Sequence, residues 1–155
     1  FLLLGLALLV SVLFTYGDLL ILFLYDSRYQ DAAWILPILA LGMWPFLLHA
    51  TINRVLYAIG KPSYVATGYA FKVLYLFIGI PLGYSVLGNL GAVLVVAFND
   101  LPSYLAINVG LYREGFMAIG QDLKATACLV LLVGGLVGLR VLLGLGLPLS
   151  TLMAS

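Results

Sequence analysis

Long apolar segments separated by short polar ones make up almost the whole chain. A membrane-spanning helix needs about 20 mostly apolar residues to cross the hydrocarbon core of a bilayer. The pattern predicts a single transmembrane region over residues 1–155, with spans at residues 1–25, 32–59, 64–84, 91–111 and 125–147. The predicted fold class is all-α, a polytopic helical membrane bundle of about five transmembrane helices.

Three of the predicted spans carry small and polar residues at helical spacing along one face. These stripes are Gly42, His49, Asn53 and Gly60 in the second span, Tyr64, Gly68, Lys72, Tyr75 and Gly79 in the third, and Asp100, Tyr104 and Asn108 in the fourth. Small residues let membrane helices approach each other, and polar ones find partners between helices. We therefore expect the spans to pack into a bundle. Gly134 and Gly138 in the fifth span form a small-xxx-small pair, which favours ordinary helix packing.

Composition agrees with this class and excludes several others. The chain is 65% hydrophobic and 8% charged, with a mean hydropathy of +1.20, whereas soluble domains carry about 25% charged residues. The net charge of +1 gives no electrostatic case for binding nucleic acid. The single cysteine, Cys128, has no partner for an internal disulfide and no metal-ligand spacing around it. Phe1 already lies in an apolar run without a basic segment before it, so we expect a piece of a longer protein rather than a signal peptide.

Lysine and arginine in the short loops predict the orientation of the bundle. Residues 60–63 and 112–124 share one side and contain Lys61, Arg113 and Lys124, whereas the opposite side has only Arg28, in the loop at residues 26–31. Cytoplasmic loops are enriched in these two residue types. We therefore expect a multi-pass protein of the cell membrane, with residues 60–63 and 112–124 on the cytoplasmic side.

We single out four charged residues within the predicted spans: Arg54, Lys72, Asp100 and Arg140. A charge at the centre of the bilayer costs about 2.5–3.5 kcal/mol on insertion scales, so each is a candidate for function. Lys72 and Asp100 lie roughly 15–18 Å from the cytoplasmic ends of consecutive antiparallel spans, at 1.5 Å per residue. A Lys72–Asp100 ion pair is therefore allowed. It would either fix the helix register or form part of a transport pathway.

The other polar residues in the spans have simpler interpretations. Arg54, beside Asn53, lies roughly 8 Å from the cytoplasmic end, where its side chain either reaches the interface or contacts a substrate. Arg140 is predicted to extend to the outer interface. His49 has no second ligand at metal-binding spacing, which favours a packed or hydrogen-bonded histidine. The sequence contains no catalytic, cofactor or metal motif, so an enzyme is not predicted.

Several short strings resemble the polysaccharide-biosynthesis flippases, which move lipid-linked oligosaccharides of the O-antigen type. LYDSRY at residues 24–29, followed by ILPILA at 35–40, resembles a loop of that family that leads into a helix. LYAIGKP at residues 56–62 is similar to its cytoplasmic turn, and PLG with LGNLGA at 81–92 is similar to its connection between two spans. The strings occur in the order of the family between residues 22 and 100. Asp26 departs from the pattern, which favours glycine there.

The resemblance implies the C-terminal half of a two-lobed transporter of the multidrug/oligosaccharidyl-lipid/polysaccharide superfamily. The substrate would be a lipid-linked glycan, carried by alternating access through a cationic cavity shared with the missing N-terminal half. The candidate pathway residues are Arg54, Lys72, Asp100 and Asn53. Asp100 is also the candidate for proton or Na⁺ coupling, because it is the carboxylate that this interpretation places inside a span. A drug or cation antiporter of the same superfamily is the first alternative, although one acid against three bases in the spans favours an anionic substrate. A structural subunit of a glycan-assembly complex is the second.

Overall fold

A computed structural model of the chain describes residues 2–25 and 29–149, and these residues fold into α-helices. The helices are α1 (Leu2–Leu24), α2 (Gln30–Ala58), α3 (Pro62–Ala97), α4 (Leu101–Arg113) and α5 (Ile119–Leu142). No strand occurs in either described range, so the predicted all-α class is confirmed. Asp26 and Arg28 of the predicted outer loop, and residues 150–155 of the tail, lie outside the described residues.

The helices are those of a multi-pass membrane protein. Within the described ranges, four segments are long and apolar enough to cross a bilayer: Leu3–Leu24, Ala32–Ala58, Pro62–Arg113 and Ile119–Leu142. The third segment has 52 residues and would extend about 78 Å as one straight helix, more than twice the thickness of the hydrocarbon core. It contains a reversal of direction and therefore provides two crossings, which agrees with the prediction of about five spans.

The chain reverses direction at Gly88, inside α3. Gly88 has φ 60° and ψ −140°, a conformation that glycine adopts more readily than any other residue. Residues 62–87 form a first arm and residues 89–97 a second arm, and the two arms run antiparallel as a helical hairpin. They pack closely: a Cβ atom added to Gly83 would lie 2.7 Å from the carbonyl oxygen of Gly91. The sequence predicts a six-residue loop at 85–90, whereas the chain turns at Gly88 alone. The turn can be this tight because Gly83 and Gly91 have no side chains to separate the backbones of the two arms.

The same antiparallel packing continues into α4. A Cβ atom on Gly68 would lie 3.1 Å from Ser103 Oγ, and one on Gly110 would lie 2.6 Å from Tyr64 Cγ. The small and polar stripe of the third span therefore faces the fourth span. The hairpin places Lys72 of the first arm opposite the junction between α3 and α4.

The chain forms two compact units, which we describe separately. The first contains Phe1–Leu41 and Ala125–Ser155, and in it Gly17 of α1 packs against Leu36 and Pro37 of α2. The second contains Gly42–Lys124. Its apolar core joins α2 to the hairpin and consists of Ile52, Leu56, Val65, Ile107 and Leu111.

Helix α5 begins and ends earlier than the sequence predicts. It starts at Ile119 and stops at Leu142, whereas the predicted span covers residues 125–147. Its end is fixed by Gly144, which has φ 70°, and by the bond from the backbone N–H of Leu145 to the carbonyl of Arg140 at 3.2 Å, a helix-ending arrangement that favours glycine. Cβ atoms on Gly134 and Gly138 would have no described neighbour within 4 Å, so the predicted small-residue contact is not made by the described residues.

Candidate functional site

The fourth predicted span is broken at residues 98–100, and Asp100 lies at the break. The backbone N–H of Leu101 bonds to the carbonyl of Phe98 at 3.1 Å, one residue short of a regular helical bond, and α4 starts directly after Asp100. Pro102 has no N–H to donate and occupies the first turn of α4. Broken helices within membrane segments are tolerated where the chain is buried in protein or lines a polar cavity or binding site.

Lys72 and Asp100 form the predicted ion pair. Lys72 Nζ lies 2.7 Å from Asp100 Oδ1 and donates a hydrogen bond to it. The Asp100 side chain is 10% exposed and the Lys72 side chain 24% exposed. The contact that equal depth in antiparallel spans allows is therefore present in the structure. Pairing neutralises both charges and reduces the cost of holding them in an apolar environment.

Helix α2 contacts the break at two points on the same face. Gly42 packs against the backbone of Ala97: a Cβ atom at this position would lie 2.7 Å from Ala97 Cα. Two turns later, His49 Nδ1 lies 4.0 Å from Asp100 Oδ1. Glycine at residue 42 is therefore what allows α2 to approach the junction closely enough for His49 to reach Asp100.

His49 is buried and hydrogen-bonded, as the sequence predicts, but it is not isolated from the charged pair. Its side chain is 1% exposed, and Nδ1 lies 3.1 Å from the carbonyl oxygen of Phe46. Its ring also contacts the rings of Phe46 and Tyr69, with centroids 5.6 Å and 6.0 Å away. Within the described ranges, Nε2 has no hydrogen-bond partner. Sequence reasoning did not place His49 beside Asp100, because residues 49 and 100 belong to helices that are not consecutive.

Asn53 and Arg54, the two adjacent candidates on α2, differ in the exposure of their side chains. Asn53 is buried, and its Oδ1 atom has no partner among the described residues. Arg54 is exposed and makes no ion pair with residues 2–25 or 29–149. Arg54 is therefore the span cation whose charge stays uncompensated within the described chain.

A second buried ion pair lies in the first unit and corrects the prediction for Arg140. The guanidinium donates two bonds to Asp18, from Nη1 to Oδ1 and from Nη2 to Oδ2, both at 2.7 Å, and a third to the carbonyl of Thr15. Both side chains are 1% exposed. The expectation that Arg140 extends to the outer interface is wrong, because α1 supplies a carboxylate that holds the guanidinium in planar, two-point geometry.

Asp18 was missed as a charge within a membrane span. The sequence Tyr16-Gly17-Asp18 resembles a weakened helix end, yet α1 continues to Leu24. Asp100 is therefore not the single carboxylate in the spans, and the count of one acid against three bases is wrong. Lys72 and Arg140 are each paired with a carboxylate, so the charge count no longer favours an anionic substrate by itself.

Tyr104 and Asp122 connect α4 to the start of α5. The Tyr104 hydroxyl donates to Asp122 Oδ2 at 2.8 Å, and Asp122 is buried. The sequence places Asp122 in a loop at residues 112–124, whereas the structure places it in the first turn of α5. Asn108 of the same stripe donates to the carbonyl of Tyr104 within its own helix. Polar residues of this stripe thus have partners inside the second unit.

The chain matches no protein-family model, no curated protein and no solved structure.

Proposed function

We propose that this chain is part of a membrane transporter that moves a lipid-linked oligosaccharide or polysaccharide precursor across the cytoplasmic membrane by alternating access. The observation that carries the proposal is the partly buried Lys72–Asp100 pair at a break in a membrane-spanning helix. Charges in such segments are expensive to insert and mark substrate or ion pathways. The resemblance of residues 22–100 to the flippase family supports the identity of the substrate.

The substrate would carry its negative charge on a pyrophosphate. Arg54 is exposed and free of ion pairs within the described ranges, so it is the side chain ready to contact phosphate oxygens by charge-assisted hydrogen bonds. Lys72 is partly exposed and would contact phosphate only when its bond to Asp100 opens. Asn53 precedes Arg54 in α2 but is buried, so in this conformation it would not contact the substrate directly. The missing half of the transporter and the bilayer are the partners that this role requires.

A drug or cation antiporter of the same superfamily is the second candidate. The antiporter is favoured by two buried carboxylates in the spans, Asp18 and Asp100. Each neutralises one cation, so these two pairs leave no excess of positive charge for an anionic substrate. In that case Asp100 would bind a proton, Na⁺ or a cationic substrate, and Arg54 would have no part in recognition. The effect of removing Arg54 separates the two candidates.

Neutral substitutions at Arg54 and Lys72 are the test of the substrate. In the full-length protein, we expect Arg54→Gln and Lys72→Gln each to slow glycan export at least ~10-fold, because a charge-assisted contact contributes about 1.5–3 kcal/mol. Lipid-linked intermediate should accumulate on the cytoplasmic face, measured by its accessibility to a glycosidase added to inside-out vesicles.

Lys61→Gln is the matched control. Lys61 is exposed and pairs with Glu114 at 3.3 Å, a surface ion pair of the kind that contributes little, so export should be unchanged. Export at the wild-type rate in both Arg54→Gln and Lys72→Gln would overturn the flippase proposal. Loss of cationic-drug efflux in Asp100→Asn, with Arg54→Gln unaffected, would support the antiporter.

A further inference from the structure

His49 has no role in the proposed transport step, although it lies against the residues that carry it. Asp100 Oδ1 is 2.7 Å from Lys72 Nζ and 4.0 Å from His49 Nδ1. One carboxylate oxygen therefore faces two nitrogen groups. The Lys72 ammonium is already a cation, and the His49 imidazole becomes one when it binds a second proton.

The contacts of His49 define where that proton would bind. The carbonyl oxygen of Phe46 only accepts hydrogen bonds, so its 3.1 Å contact assigns the proton of the neutral ring to Nδ1. Nε2 then carries a lone pair. It is buried and has no partner among residues 2–25 and 29–149. Burial of the ring disfavours its charged form. The carboxylate of Asp100, 4.0 Å from Nδ1, is the group that favours it.

We propose that His49 is a proton-binding site whose protonation releases Lys72 from Asp100. A proton from water adds to Nε2, and the resulting imidazolium pairs with Asp100 in place of Lys72; the other covalent bonds of the chain are unchanged. Lys72 is the partner that leaves, because its side chain is long and 24% exposed. His49 is 1% exposed and held between the rings of Phe46 and Tyr69.

The groups that surround the ring determine the sign of the effect. Asp100, directly before α4, stabilises the imidazolium, and Lys72 of α3 opposes it until Lys72 moves away. Tyr69 of α3 is a further titratable side chain in contact with the ring. Protonation of His49 therefore converts a neutralised lysine into a free cation inside the membrane segment.

The released Lys72 would bind the anionic phosphates of a lipid-linked substrate, and this step rests on the proposed function. Proton binding and substrate binding then favour each other. Because such coupling is reciprocal, bound substrate would also hold the proton on His49. The chemistry assigned to the site is a proton together with a phosphate-bearing lipid.

The first experiment needs no substrate. His49 is the single histidine of the 155 residues, so ¹⁵N-histidine labelling of the full-length protein in nanodiscs, with the signal assigned by its loss in His49→Gln, reports its ring nitrogens. Lysine groups carrying ¹³C-dimethyl labels, assigned with Lys72→Gln, report Lys72. Between about pH 8 and pH 4, a range wide enough for a ring whose burial disfavours the imidazolium, we expect His49 to gain a second proton and the Lys72 signal to shift. The Lys72 shift should be absent in His49→Gln.

The second experiment measures binding of a farnesyl pyrophosphoryl sugar, whose phosphates stay ionised across this range. Wild-type protein should bind it about 5-fold or more tightly at the lower pH. His49→Gln should bind weakly at both pH values, and Asp100→Asn, in which Lys72 is always free, tightly at both. Lys61→Gln should keep the wild-type ratio.

A His49 ring that stays singly protonated, or a Lys72 signal that shifts equally in His49→Gln, would overturn the proton site. If both signals respond as expected but the probe binds at neither pH, the proton site stands and the flippase function fails. If the probe binds with the same pH dependence in His49→Gln as in wild type, the function stands and the role of His49 is wrong.

Discussion

Arg140→Met is expected to destabilise the protein by about 3–5 kcal/mol, because it leaves the Asp18 carboxylate buried without a partner. Both side chains are 1% exposed, and two hydrogen bonds of 2.7 Å join them. Asp18→Leu should cost a similar amount for the same reason. The measurement is the free energy of unfolding in detergent micelles, followed by helix content during titration with sodium dodecyl sulfate.

The double variant Asp18→Leu/Arg140→Met distinguishes a buried pair from two independent sites. Replacing both charges with apolar side chains removes the uncompensated charge, so most of the lost stability should return. Lys124→Met on the exposed surface of α5 is the control and should change stability by less than ~0.5 kcal/mol. Additive losses in the double variant would contradict the observed geometry.

Gly91→Ala is expected to destabilise the hairpin by about 1–3 kcal/mol, the cost of overpacking a close contact. A Cβ atom at residue 91 would overlap the carbonyl oxygen of Gly83 and lie 3.0 Å from Leu87 Cβ. The first of these neighbours is backbone, which moves aside only if the two arms separate. The same unfolding titration measures the effect.

Gly134→Ala is the matched control for Gly91→Ala. It adds the same methyl group within α5, where no described atom lies within 4 Å. Alanine is the better helix former by roughly 0.5–1 kcal/mol, so this variant should be neutral or more stable. Equal destabilisation by the two substitutions would show that residues 83 and 91 are not in contact.

The sequence predicts elements and local pairs well where length and depth decide the outcome. The first two predicted spans agree with α1 and α2 within two residues, because their apolar runs end at charged or glycine-rich segments. Lys72 and Asp100 could be paired in advance, since consecutive antiparallel helices must bring residues of equal depth close together. These predictions use only hydrophobic length and the helical rise.

Contacts between distant helices could not be predicted in this way. Asp18 and Arg140 are 122 residues apart, and nothing in the local pattern states that α1 and α5 are neighbours. The same holds for His49, whose approach to Asp100 depends on the absence of a side chain at Gly42. The start of α5 was misplaced because Gly120, Gln121 and Asp122 resemble a loop, whereas Tyr104 supplies the partner that lets Asp122 be buried.

The central claim is that the Lys72–Asp100 pair serves transport and does not merely fix the packing of the hairpin. The most direct test is the double variant Lys72→Met/Asp100→Asn in the full-length protein, assayed for both glycan export and unfolding. The variant keeps the shapes of both side chains and leaves no unpaired charge, so its stability should stay within about 1 kcal/mol of wild type. We predict that export nevertheless falls at least ~10-fold, the loss of about 1.4 kcal/mol of interaction or more. Export at the wild-type rate from the stable double variant would contradict the claim.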